Sequence, residues 1–234
     1  MNEAGSNIPK ALVTIGSKPL IWHLMRLYAS YGYDDFVLCV GYLQEKLRAY
    51  FGAGPSATER VAFSDEGLRC TVALVDTGPD TNTGGRIKRA EDLLADEERF
   101  FVTYGDGLSD VNLNELARFH ERHGRTATLT AVHPVSSFGI LELGDDGSVI
   151  EFREKPKLEK WINGGFFVFE RRLFDHLDDG SVLEQEPLAH LARNADLMAF
   201  RHEGFWKCMD TFKDNAELNA LWSEGAPWRT WQTR

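Results

Sequence analysis

Asp106 stands where a carboxylate could bind a metal ion. Residues 101–107 read Phe-Val-Thr-Tyr-Gly-Asp-Gly, an apolar strand followed by an acid between two glycines. Open α/β sheets bind ligands beyond the carboxyl ends of their strands, and Mg²⁺ takes one or two carboxylates plus phosphate oxygens. The pattern therefore predicts that Asp106 is a magnesium ligand. The alternative is a turn residue that caps the next helix.

Two further aspartates follow apolar stretches. Asp210 comes just before a predicted helix, where it is either a second metal carboxylate or a helix N-cap, and its local pattern alone favours the cap. Asp76 has the same placement after a strand, but the Thr-Gly-Pro that follows it favours an Asx turn over metal ligation.

A glycine-rich start to a predicted helix offers a place for a phosphate or the polar edge of a base. Thr83, Gly84 and Gly85 precede Arg86. Free backbone N–H groups and the helix dipole favour an anion there.

Two more segments carry polar groups that could bind a sugar phosphate. Lys155, between Glu154 and Pro156, could point at a phosphate, with a surface lysine as an equal alternative. Asn163, followed by two glycines, offers an amide to a sugar hydroxyl or belongs to a β-bulge.

The elements that must position these residues alternate between helical and strand patterns, which is typical of βα units. Helical spacing predicts helices over 19–28, 44–51, 86–94, 185–195 and 214–222. A further predicted helix runs through 113–120, and Asp110 can cap it. Strand patterns cover 36–40, 72–75, 100–104, 127–132, 166–169 and 197–200. Residues 140–143 and 148–152 flank an Asp-Gly turn, which predicts a hairpin. We expect an α/β fold, one domain over residues 1–234, whose mostly parallel central sheet is flanked by helices and carries an antiparallel β insertion.

Composition narrows the partners and the compartment. The net charge of −10 argues against broad contact with nucleic acid or anionic lipid. Cys39, Cys70 and Cys208 have no spacing typical of disulfide frameworks or zinc sites, which predicts a reduced, cytoplasmic protein. No sequence signal for a leader or a membrane span is present. The absence of G-x-S-x-G and HExxH argues against a hydrolase. His23 and His120 lie on predicted helices among apolar residues, so they are expected to be packed rather than catalytic.

Eight segments in the same order resemble the sugar-1-phosphate nucleotidylyltransferases, and among them the members that transfer a cytidylyl group. The segments are 8–16, 18–23, 75–78, 83–89, 104–110, 154–156, 162–168 and 209–211. The resemblance implies a Rossmann-like nucleotidyltransferase.

The resemblance implies an enzyme that transfers a nucleotidyl group from a nucleoside triphosphate to a sugar 1-phosphate and releases pyrophosphate. The expected substrates are CTP and glucose 1-phosphate, and the expected assembly is a homo-oligomer. Asp106 and Asp210 would hold Mg²⁺, and Lys10 would act beside them as a catalytic contact to phosphate. The nucleotide would lie against Lys10, Thr83, Gly84, Arg86, Tyr104 and Gly105. The sugar phosphate would lie against Glu154, Lys155, Asn163 and Gly164.

The sequence departs from the family pattern ahead of residue 8. Family members open with an apolar strand and a glycine-rich GGxGTR loop that wraps the triphosphate, whereas residues 1–5 read Met-Asn-Glu-Ala-Gly. We therefore expect either a truncated enzyme or a noncatalytic homologue that binds a nucleotide sugar or pairs with an active subunit. Retention of Lys10, Asp106, Lys155 and Asp210 favours descent from an enzyme.

Overall fold

The computed structural model describes residues 8–55, 58 and 60–232, and the departure at residues 1–5 lies outside them. The α-helices of this part are α1 (Leu20–Ala29), α2 (Gln44–Phe51), α3 (Thr83–Lys88), α4 (Leu113–His123), α5 (Glu186–Arg193) and α6 (Phe212–Ser223). Short 3-10 helices cover Lys10–Leu12, Glu91–Leu94, Arg171–His176 and Thr230–Gln232. None of the described helices is long and apolar enough to cross a membrane.

The strands of the same part form one five-stranded sheet, one three-stranded sheet and three two-stranded pairs. They are β1 (Thr14–Ile15), β2 (Lys18–Pro19), β3 (Asp35–Val40), β4 (Val61–Asp65), β5 (Leu68–Asp76), β6 (Arg99–Val102), β7 (Gly107–Ser109), β8 (Ala127–Val132), β9 (Ile140–Leu143), β10 (Val149–Arg153), β11 (Ile162–Asn163), β12 (Phe167–Glu170), β13 (Leu197–Arg201) and β14 (Trp206–Cys208).

The expected α/β fold class is confirmed: β6, β8 and β13 run in one direction, because β12 is antiparallel to both β6 and β8 while β13 is parallel to β8. The described parallel pairings are β3 with β5 and β8 with β13, whereas β12 runs antiparallel to both β6 and β8. After β8 the chain passes through the hairpin β9–β10 and returns through β11, which pairs antiparallel with β8. A strand that re-enters a sheet from the end where its neighbour finished must run antiparallel. The hairpin itself is confirmed, and the single domain over residues 1–234 stays a prediction.

Two local predictions about helices are corrected. The helix predicted over 86–94 is instead α3, which begins at Thr83, followed by the 3-10 turn Glu91–Leu94. Asp110 does not cap α4, because Asn112 accepts the hydrogen bond from the backbone N–H of Glu115. Asp110 accepts the backbone N–H of Phe205 at 2.7 Å instead, so it joins the loop before β14 to the end of β7.

Helix α1 is the centre of the core. Eight of its ten residues are buried, because it is covered by the sheet on one side and by the aromatic segment after α6 on the other. His23 and His120 are fully buried, which confirms that both are packed. The ring of His23 accepts a hydrogen bond from Trp228 Nε1 at 3.3 Å and bonds to the carbonyl oxygen of Ile15 at 3.0 Å.

The burial of these two histidines predicts that the folded protein loses stability in acid. Burial lowers the pKa of His23 to about 4, and burial likewise lowers that of His120 to about 4 against the opposing effect of Glu170. A pKa that is lower in the folded than in the unfolded chain stabilises the fold above the unfolded value of about 6.5, and this stabilisation is lost as the pH falls from 6.5 towards 4. We expect a loss of on the order of 3 kcal/mol per histidine at most over this window.

Urea denaturation at pH 7.0, 5.5 and 4.5 measures the free energy of unfolding at each pH. His120→Gln should flatten the pH dependence, whereas His190→Gln, which alters an exposed ring on α5, should not. An unchanged pH slope in His120→Gln would contradict the assignment.

Candidate active site

Lys10 joins two aspartates that lie far apart in the sequence. Its Nζ donates to Asp106 Oδ2 at 2.8 Å and to Asp210 Oδ1 at 2.6 Å. Burial lowers the pKa of Lys10, but the hydrogen bonds and negative charges of the two carboxylates outweigh it and raise the pKa above its ordinary value. The three predicted catalytic residues therefore lie together, with a charged ammonium between two carboxylates.

A short β-ladder brings the two aspartates together. β7, directly after Asp106, pairs antiparallel with β14, directly before Met209 and Asp210, and its register sets Cys208 opposite Gly107. The backbone N–H of Met209 donates to the carbonyl oxygen of Asp106 at 2.8 Å. Both aspartates therefore leave the same end of one ladder.

Asp210 is not the cap of α6. Thr211 is the N-cap, and its side chain and that of Asp214 form a reciprocal capping box. The backbone N–H of Asp210 also donates to Asp214. Because the helix start is satisfied by these neighbours, the Asp210 carboxylate is available to Lys10, and its side chain is 65% exposed.

Cys208 completes a cluster whose composition bears on metal binding. One ligand atom each from Asp106, Cys208 and Asp210 lie within 4.8 Å of one another. Burial, followed by the hydrogen bond to Asp210, raises the pKa of Cys208 to about 12, so this residue is a neutral thiol that donates to Asp210 Oδ2 at 3.0 Å. The hydrogen bonds from Cys208 and Lys10 in turn lower the pKa of Asp210. Two carboxylate oxygen donors and no thiolate fit a hard cation such as Mg²⁺ rather than zinc.

The two glycines at the start of α3 are required by packing. A Cβ on Gly84 would lie 2.8 Å from the carbonyl oxygen of Ser181, and one on Gly85 would lie 2.3 Å from that of Asp179. The N–H of Gly85 donates to Ser181. Part of the helix start that was predicted to face an anion therefore contacts the turn at 178–181.

Arg86 holds the loop after β5. Its guanidinium donates to Thr77 Oγ1 at 2.6 Å and to the carbonyl oxygen of Pro79 at 3.1 Å. In the same loop the N–H of Gly78 donates to Asp76 Oδ1, which confirms the predicted Asx turn. Arg86 is therefore placed to shape this loop, and its role as a nucleotide contact stays a prediction.

Glu184 links residues predicted to face different substrates. Its carboxylate accepts the hydroxyl of Tyr104 at 2.5 Å and that of Thr83 at 2.6 Å. Asn163 Nδ2 donates to the Tyr104 hydroxyl oxygen at 3.2 Å. Burial, followed by the hydrogen bond to Glu184, raises the pKa of Tyr104 well above its usual range, so the phenol stays a hydrogen-bond donor. Asn163, Tyr104, Glu184 and Thr83 form one chain, which we call the Glu184 network.

The backbone between β11 and β12 is strained beside this network. Gly165 and Phe166 have positive φ values of 73° and 48°, and such a φ is unusual for a bulky residue like Phe166. Gly164 is held by its N–H to Thr130 and by its carbonyl oxygen, which accepts Trp206 Nε1 at 2.8 Å. Strain of this kind persists where the surroundings fix it, as at binding sites.

Gly105 lies in the turn between β6 and β7, next to Asp106, and a Cβ there would meet no atom within 4 Å.

Glu154 and Lys155 lie in the loop after β10, where their charged groups are 3.5 Å apart. Lys155 has a φ of 44°. Hydrogen bonds from Ser136 to Pro156 and from Leu158 to Pro134 anchor the loop beside the end of β8. The described contacts do not join this pair to the Glu184 network.

Sequence reasoning missed Glu184 and Cys208. Glu184 lies in a short acidic run before α5, which has the appearance of an ordinary solvated segment, and its partners are 80 and 101 residues away. Cys208 offered a weak signal, since residues two apart in a strand share a face and it precedes Asp210 by two positions.

Comparisons with known proteins bear on the reaction. A family model described as nucleotidyl transferase matches residues 5–218. The chain is 43% identical to glucose-1-phosphate cytidylyltransferase of Salmonella typhi over 237 residues, which cover 96% of this chain and 92% of that protein. It is 40% identical to a probable glucose-1-phosphate cytidylyltransferase of Bacillus subtilis over 243 residues, covering 99% of this chain and 95% of the relative.

The fold is also similar to that of solved structures. HddC from Yersinia pseudotuberculosis superposes with a TM-score of 0.70 at 18% identity, covering 94% of this chain and 92% of that one. At this identity the likeness concerns the fold, and it agrees with the Rossmann-like α/β arrangement. The match to the family model over most of the chain and the identity to two curated relatives show that this protein belongs to the nucleotidyl transferase family, as a sugar-1-phosphate nucleotidylyltransferase.

Proposed function

We propose that this protein transfers a cytidylyl group from CTP to glucose 1-phosphate and releases pyrophosphate, with Mg²⁺ as its cofactor. The observation that carries the proposal is the cluster of Lys10, Asp106 and Asp210, built by residues that a noncatalytic homologue would have no need to keep together. The 43% identity to a cytidylyltransferase over 96% of the chain supports the choice of base and sugar, and the noncatalytic alternative is not favoured.

The chemistry needs alignment and charge neutralisation more than a protein nucleophile. In phosphoryl transfer an oxygen of one substrate attacks the phosphorus of the other in line with the leaving group. Here a sugar phosphate oxygen would attack the α-phosphorus of CTP, and the bond from that phosphorus to the bridging oxygen of pyrophosphate would break. Lys10 can donate to a phosphate oxygen, while the Glu184 network can hold Tyr104 and Asn163 in fixed orientations. Preorganised donors of this kind act without reorganisation during the reaction.

Asp106 and Asp210 would hold the metal ion. When bound, Mg²⁺ would neutralise phosphate charge and orient the triphosphate. The residues fit this ion because two carboxylate oxygens face one another and the neighbouring thiol of Cys208 is protonated.

An assay of pyrophosphate release tests the proposal. Each of CTP, UTP, ATP, GTP and dTTP is supplied with glucose 1-phosphate, with Mg²⁺ or with EDTA. We expect turnover that requires Mg²⁺ and prefers CTP. Turnover that prefers another nucleotide would overturn the base assignment, and nucleotide-sugar binding without turnover for any pair would favour the noncatalytic homologue.

Replacing one metal carboxylate tests the site. Asp106→Asn keeps the shape of the side chain but removes its charge, so we expect pyrophosphate release to fall by about 100-fold or more, in line with the loss of a key electrostatic contact. Asp92→Asn removes an exposed carboxylate from the Glu91–Leu94 turn and should leave the rate unchanged. Near-normal activity of Asp106→Asn would exclude it as a metal ligand.

The Glu184 network predicts a separate effect on substrate binding. Glu184→Gln leaves only one carbonyl oxygen for the two hydroxyls of Tyr104 and Thr83, so we expect KM to rise by about 10-fold with a smaller change in kcat, as for the loss of one charge-assisted hydrogen bond. Glu186→Gln, two residues away, breaks only an exposed pair with Arg193 and is the matched control. Equal effects of the two substitutions on KM would contradict the role of Glu184.

We also propose that the protein is a homo-oligomer that associates through the hairpin β9–β10. Leu143 lies opposite Val149 and Leu141 lies opposite Phe152, and a bulge after Val149 sets both pairs on one face. These four side chains are between 50% and 61% exposed. An exposed apolar face of this kind marks an interaction site, and its lack of charge suits the same face of a second copy in a twofold interface.

Light scattering after size exclusion tests this interface. Leu141→Glu combined with Phe152→Glu should convert the oligomer to smaller species, because each copy would bury two unpaired charges, four in all, at a twofold contact. Glu142→Gln combined with Glu151→Gln alters the opposite face and should leave the mass unchanged. A monomeric wild-type protein, or a double glutamate variant of unchanged mass, would overturn the proposal.

A cytoplasmic location is part of the same proposal. The three cysteines are free thiols, two of them with a pKa raised by burial to about 11 and one to about 12. Thiols with raised pKa values form little thiolate and suit a reducing compartment.

A further inference from the structure

A cavity of about 330 Å³ lies at the far end of α6 from the catalytic cluster. Three tryptophans and three cations dominate its lining: Trp22, Trp222, Trp231, Lys18, Arg26 and Arg229. We call it the tryptophan pocket. Asp210 precedes α6 and Trp222 is near its last residue, and a helix of twelve residues spans about 18 Å. The pocket is therefore separate from the cluster around Lys10.

The walls of the pocket are fixed by specific contacts. Gly16 has a φ of 62°, and a Cβ there would lie 2.1 Å from the indole nitrogen of Trp222, so only glycine leaves room for that ring. Trp22 Nε1 donates to the carbonyl oxygen of Asp65 at 3.2 Å. These contacts set two of the three indole rings before any ligand arrives.

Two of the three cations are not neutralised by carboxylates. Lys18 pairs with Asp65 at 2.6 Å and with Glu66 at 3.0 Å. Within the described residues, by contrast, neither Arg26 nor Arg229 has a carboxylate within ion-pair distance. This is notable in a chain with 36 acidic and 26 basic residues.

Each unpaired arginine lies against a tryptophan ring. The guanidinium of Arg229 is 4.6 Å from the ring centroid of Trp222, and that of Arg26 is 5.9 Å from that of Trp231. Stacking uses the face of a guanidinium and leaves its N–H edge for an acceptor. Arg229 Nε is buried and has no hydrogen-bond partner among the residues that the structure describes. A buried donor without an acceptor costs free energy, which a ligand oxygen would recover.

We propose that the tryptophan pocket is a second ligand site that binds a nucleoside phosphate. Guanidinium groups form paired hydrogen bonds with phosphate oxygens, and bases stack on indole rings irrespective of their identity. The volume lies within the range of about 300–1,000 Å³ typical of small-molecule sites. The ligand is recognised by its charge and its flat ring, so different bases bind with similar affinity.

Titration with CMP in the presence of EDTA tests the site, with tryptophan fluorescence as the signal. We expect saturable quenching that Arg26→Gln combined with Arg229→Gln weakens by about 10-fold or more, the loss expected for charge-assisted hydrogen bonds. Arg122→Gln is the matched control, because Arg122 also lies over an aromatic ring, that of Phe119, outside the pocket. Asp106→Asn should leave the quenching unchanged.

Further measurements separate the outcomes. Cytidine, which lacks the phosphate, should bind far more weakly than CMP, and UMP and AMP should match CMP. Indole N–H signals in an NMR titration should shift for Trp22, Trp222 and Trp231 even if the double variant does not fold. The proposal is overturned by an absence of saturable binding, by equal affinity for cytidine, by shifts confined to other tryptophans, or by loss of binding in Asp106→Asn. Pyrophosphate release is not used here, so failure of this site leaves the proposed reaction untouched.

Discussion

The repulsion between Asp106 and Asp210 is the constraint around which the catalytic cluster is arranged. Carboxylate oxygens within 4.8 Å of each other repel by roughly 1 kcal/mol in water and by about 3 kcal/mol at the effective dielectric of a protein surface. The Lys10 ammonium lies between them and offsets this cost. The β7–β14 ladder keeps the backbones of the two aspartates close together. The fold therefore maintains a concentrated negative charge that needs a cation.

The same principle of fixed neighbours applies to the Glu184 network. The Glu184 carboxylate accepts two hydroxyls from residues on different elements, and the strained turn at Gly165 and Phe166 sets Asn163 against Tyr104. None of these contacts is strong alone, since each is partly exposed. Together they restrict the rotamers of three polar side chains, which reduces the conformational entropy lost when a substrate binds.

Local patterns in the sequence predicted most elements, and the family resemblance named Lys10, Asp106 and Asp210, which the structure brings together. Neither revealed the long-range pairing of the strands. Helix α1 and the hairpin β9–β10 follow from periodicity and turn residues that lie within a dozen positions. The antiparallel entry of β12 depends on where the chain returns after the hairpin, which periodicity does not encode. Asp110 had the right residue type for a cap, yet the pairing of β7 with β14 directed it to Phe205. Glu184 was missed for the same reason, because its partners are distant in sequence.

Lys10 has two roles that the geometry makes compatible. Without substrates, its ammonium compensates Asp106 and Asp210, and their charges raise its pKa. If the carboxylates bind Mg²⁺ as proposed, a dication replaces that compensation and the ammonium loses its nearest acceptors. A strongly hydrated point charge on a flexible stem then moves to the next strong acceptor, which in the proposed reaction is a phosphate oxygen of the bound substrate. The lysine that compensates the two carboxylates in the absence of substrate is thereby available to the phosphate when substrate binds.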